Sequence, residues 1–62
     1  DAKEMLRAFC DNGFDGNEEQ AAVALGRPRS EIGEMLDGQT PVDEDLAIKM
    51  RGIAKERDFN IG

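Results

Sequence analysis

The stretch EEQAAVALGRPRSEIGEMLD, Glu18 to Asp37, decides how this chain folds. Strong helix formers run from Glu18 to Leu25 and stop at Gly26, which can take the left-handed conformation that ends a helix. Asn17 with Gln20 three residues on has the form of an N-cap and its capping-box partner, and Glu18 and Glu19 fall in the first turn, where the helix dipole favours acids. Pro28 suits the first turn of a second helix, because its missing N–H would be unpaired there in any case. That helix is expected over about 28–36, with Ile32, Met35 and Leu36 on its apolar side. Two helices crossing steeply at a short corner must approach closely at their inner faces. The small Ala22 fits the point of approach, Leu25 the core position before the turn, and Ile32 and Met35 the clamp on the far side.

Outward from this corner the spacing remains helical. Ala2, Met5, Leu6, Phe9 and Cys10 follow the three-and-four rhythm of an amphipathic helix over 2–10, and DNGFDG, Asp11 to Gly16, reads as a loop anchored by Phe14. On the other side DGQTP stops the second corner helix. Thr40 with Asp43 three residues on, and Pro41 at a first helical position, marks the start of a fourth helix over 41–57. Leu46, Ala47, Met50, Ile53 and Ala54 face inward, Gly52 is a weak point, and Phe59 and Ile61 are expected to fold back as a plug. No stretch alternates like a strand. The expectation is an all-α, four-helix bundle forming one domain over 1–62, cut from a longer protein.

Composition narrows the chemistry. One cysteine and no histidine exclude an internal disulfide and a Cys/His zinc site, and point to a reducing, intracellular setting with Cys10 as a buried thiol. No apolar run approaches the roughly 20 residues that span a bilayer, so no membrane partner is expected. No activated nucleophile, general base or glycine-rich phosphate loop is present, so the chain does not read as an enzyme and no cofactor is expected. DNGFDGNEEQAA echoes a calcium loop through Asp11, Asp15 and Gly16, but Ala22 stands where the bidentate glutamate belongs.

With the corner and its flanks in view, the sequence resembles the phage lambda-repressor and Cro-like helix-turn-helix domains. The resemblance covers roughly residues 17 to 57 and continues past the corner into DGQTPVDEDLAIKMRGIAKE. Family domains commonly have five helices, of which four are found here. The resemblance implies that the helix over 28–36 enters the major groove with its N-terminal residues toward base edges. On this sequence the matching positions are Arg29, Ser30, Gly33 and Glu34, with Arg29 suited to guanine and Glu34 to cytosine, and Arg27 and Gln20 as backbone contacts. It further implies a transcription regulator bound to double-stranded DNA in the cytoplasm or on the nucleoid, working as a homodimer or within a larger parent.

The charge balance runs the other way. Fourteen acidic residues against 8 basic ones leave a net charge of −6, and Glu18, Glu19, Glu31 and Glu34 lie on the presumed docking side. Carboxylates near phosphates oppose the counterion-release contribution to affinity, so an isolated monomer should bind DNA feebly. The alternative expectation keeps the fold as an acidic interaction module for a basic protein partner.

Overall fold

Asp1 starts the first helix by accepting the Glu4 backbone N–H on its carboxylate at 3.0 Å, and α1 then runs Ala2–Phe14. The computed structural model describes residues 1–62 as four helices and no strand: α1, α2 (Glu18–Leu25), α3 (Arg29–Leu36) and α4 (Glu44–Arg57). α1 is longer than the sequence reading, which ended it at Cys10. Asp11 to Phe14 form its last turn, Asp15 closes it in the left-handed conformation, and the Gly16 N–H donates to Cys10 O at 2.9 Å. Gly13 misled because it serves a close contact and not a turn: the Phe59 ring lies directly on it. The echo of a calcium loop ends here too, since its first residues are helical.

α2 has the expected bounds. Asn17 Oδ1 accepts the Gln20 N–H at 3.0 Å, while Asn17 donates its own N–H to Phe14 O, so only one half of the expected capping box forms. Pro28 stands at the N-cap position of α3, one residue outside the helix, and supplies no side-chain cap. The start of α4 moves further. Pro41 and Val42 are non-helical, and Asp43, not Thr40, is the cap, accepting the Leu46 N–H at 2.8 Å. An aspartate followed by Glu44 and Asp45 satisfies both the orphan N–H groups and the helix dipole, and outcompetes the Thr40–Pro41 pair.

All four helices contribute to one core: Leu6, Phe9 and Cys10 from α1, Ala21, Ala22 and Leu25 from α2, Ile32 and Met35 from α3, Leu46 and Met50 from α4. No charged or polar side chain is buried with them. Ile53 and Leu36 are only half-buried, packed against this cluster. The tail does fold back. Phe59 packs with Phe9 and Phe14 at ring-centroid distances of 5.6 and 6.5 Å, and Asn12 Nδ2 donates to the Asn60 carbonyl at 2.7 Å. No helix is long and apolar enough to cross a membrane.

Candidate functional site

The corner between α2 and α3 is built from the residues that announced it. Gly26 holds φ at 71°, a left-handed value that costs glycine little and other residues more, and its N–H together with that of Arg27 donates to carbonyls of the last turn of α2. Ala22 is 2% exposed, so the close-approach side chain is inside. Ile32 and Met35 are buried on the inner side of α3.

Pinning Ile32 and Met35 inward leaves Arg29, Ser30, Gly33 and Glu34 on the other side of α3. Arg29, Ser30 and Glu34 are exposed, and an added Cβ at Gly33 would meet nothing within 4 Å. Glu34 is lightly engaged, its Oε1 accepting from Thr40 Oγ1 at 3.4 Å. The four residues therefore share one open face. Gln20 does not join it. It is exposed on α2, where it lines a shallow hollow with Phe14, Asn17, Val23 and Ala24.

Arg27 is placed differently from an open phosphate contact. Its Nη1 donates to Glu31 Oε1 at 2.6 Å and to Asp43 Oδ2 at 3.0 Å, and its Nη2 donates to Asp43 Oδ1 at 3.1 Å. The fork on Asp43 is bidentate, the geometry in which guanidinium and carboxylate bind most strongly. Hydrogen bonding to Asp43, then to Glu31, holds the guanidinium even more firmly protonated than usual, while the Arg27 bonds, then the Leu46 N–H, hold the Asp43 carboxyl below its ordinary range. Asp43 thus serves two elements, capping α4 and clasping the corner.

Sequence reasoning missed Glu31 and Asp43 as partners of Arg27. Glu31 is four residues beyond Arg27, a spacing that signals a pair only within one helix, and the corner intervenes. Asp43 comes from across the fold. The consequence is electrostatic: with Arg27 matched by two carboxylates, Arg29 is the only cation among the α3 face residues, and the same face carries the acidic Glu34. No group of three or more acidic or cysteine side chains stands close enough to hold a metal ion. No protein-family model, curated protein or solved structure matches the chain.

Proposed function

We propose that the chain is a sequence-specific DNA-binding domain of the lambda-repressor-like helix-turn-helix kind, with α3 as the helix that enters the major groove. The observation that carries this reading is the division of α3: Ile32 and Met35 are locked into the core while Arg29, Ser30 and Gly33 form an open face with no side chain bulk at its centre. A glycine at Gly33 costs helix stability and relieves no internal crowding, which favours a surface that something approaches closely. Arg29 would pair bidentately with guanine O6 and N7, and Ser30 would bond a base edge or phosphate. Arg27 acts indirectly, fixing the pitch of α3 through Glu31 and Asp43.

The test is fluorescence anisotropy on duplexes selected from a random pool, followed across a salt series. Binding that weakens steeply with salt is expected, with Arg29→Ala costing about 1–3 kcal/mol on the selected sequence and relaxing its specificity at one base pair. No detectable affinity at low salt would overturn the reading. The clasp on Arg27 and the net charge of −6 favour a second reading, the same fold as an acidic module for a basic protein partner. Undetectable affinity for DNA at low salt, with Arg29→Ala changing nothing, would leave that reading in place of the first.

A further inference from the structure

α4 turns Leu46, Ala47, Met50 and Ala54 into the core, and this leaves Asp45, Ile48, Gly52 and Lys55 exposed on its opposite side. They follow at spacings of three, four and three residues, the rhythm by which a helix offers one continuous stripe to a neighbouring helix. Ile48 is 56% exposed. At Gly52 an added Cβ would meet nothing within 4 Å, and its backbone is helical with no left-handed φ, so nothing inside the domain asks for glycine there. Lys49 lies off the stripe, with its Nζ turned over Gly26.

The order along the stripe is acid, large apolar group, notch, base. A second copy laid antiparallel reads that order in reverse, so Asp45 comes opposite the partner's Lys55 and Ile48 opposite the partner's Gly52, and the same two pairings repeat across the two-fold axis. Within the chain neither Asp45 nor Lys55 has an ion-pair partner, since every salt bridge involves Arg7 or Arg27. We propose that α4 is the contact between two copies of this chain. Each Ile48 fills the notch at the other's Gly52, and an Asp45–Lys55 pair closes each end. A second copy fits better than a basic protein because the stripe is complementary to its own reversal, the requirement of an isologous contact, whereas a basic surface would match only its acidic end. One pair of 14-residue helices buries less than the roughly 1,200 Å² of a standard interface, so the dimer is reversible and dependent on concentration.

The proposal rests on α4 and not on the DNA reading. Should both hold, each dimer carries two α3 helices.

Sedimentation equilibrium of the 62-residue chain without DNA, at low salt and from micromolar to millimolar concentration, tests it. The expected result is a monomer–dimer equilibrium. Asp45→Lys and Lys55→Asp each place like charges at both ends of the contact and weaken it on the order of tenfold. Mixing these two variants restores opposite charges at both ends, so the mixture associates more tightly than either alone. Gly52→Leu favours the helix yet fills the notch, so it stays folded by circular dichroism while losing the dimer. A chain monomeric at millimolar concentration overturns the proposal. So does a dimer indifferent to Gly52→Leu, or a mixture that associates no better than its components.

Discussion

At Gly13 an added Cβ would overlap the Phe59 ring, with Cε1 at 2.8 Å, whereas at Gly33 it would meet nothing within 4 Å. Both glycines are helical, so the two substitutions to alanine separate crowding from helix propensity. Gly13→Ala must displace a ring that itself packs on Phe9 and Phe14, and is expected to destabilise by about 1–3 kcal/mol. Gly33→Ala is expected to stabilise by about 0.5–1 kcal/mol. Thermal melts of the two variants check the pair, and equal shifts of the same sign would refute the assignment of Gly13 to close packing. The same contrast explains what the sequence made legible. Ala22 and Gly26 could be read because their reasons are local: an inward-facing small residue on α2 and the left-handed end of that helix. Gly13 could not, because the residue that requires it lies at position 59.

The helices were legible where their signals are internal and illegible where an end is decided from outside. α2 followed from Asn17, its acidic first turn and Gly26, all contiguous. The start of α4 offered two caps in succession, and Asp43 prevails over Thr40 with the acids of the first turn behind it and Arg27 in front. That position makes Asp43 sensitive to acid. Its folded-state carboxyl is held below the ordinary value of 3.8, so its contribution to stability is complete above that value and is lost as pH falls through the lowered one. Asp43→Asn keeps an acceptor for the Leu46 N–H but gives up the charge facing Arg27. Its urea midpoint should therefore lie below that of the parent at neutral pH, and the two should converge as pH is lowered below the ordinary aspartate value. A gap that persists unchanged in acid would contradict the role of the Arg27 pair. The exposure of Arg29, Ser30 and Glu34 follows from the inward spacing of Ile32 and Met35, but the electrostatics around them were not legible, because the clasp joins a corner to a helix cap from a different part of the chain.

Across the whole molecule, the core is continuous from α1 to α4 and contains no polar side chain, so no part of it opens cheaply on its own. Cys10 reports on this directly. The thiol is 0% exposed, and burial, followed by the charge of Glu18, raises its pKa. Alkylation by iodoacetamide should be slower in the native protein than in urea by on the order of a hundredfold or more, as expected for a site reached only by global opening. Rapid native-state labelling would show instead that α1 detaches locally. The tail has a further consequence for how such a core comes into being. Asn12 is joined to Asn60 across 48 residues, and Phe59 seals the aromatic cluster that Phe9 and Phe14 begin. During synthesis those early rings emerge from the ribosome some 45 residues before the one that covers them, so the nascent chain must carry a greasy, unlidded first helix until Phe59 follows.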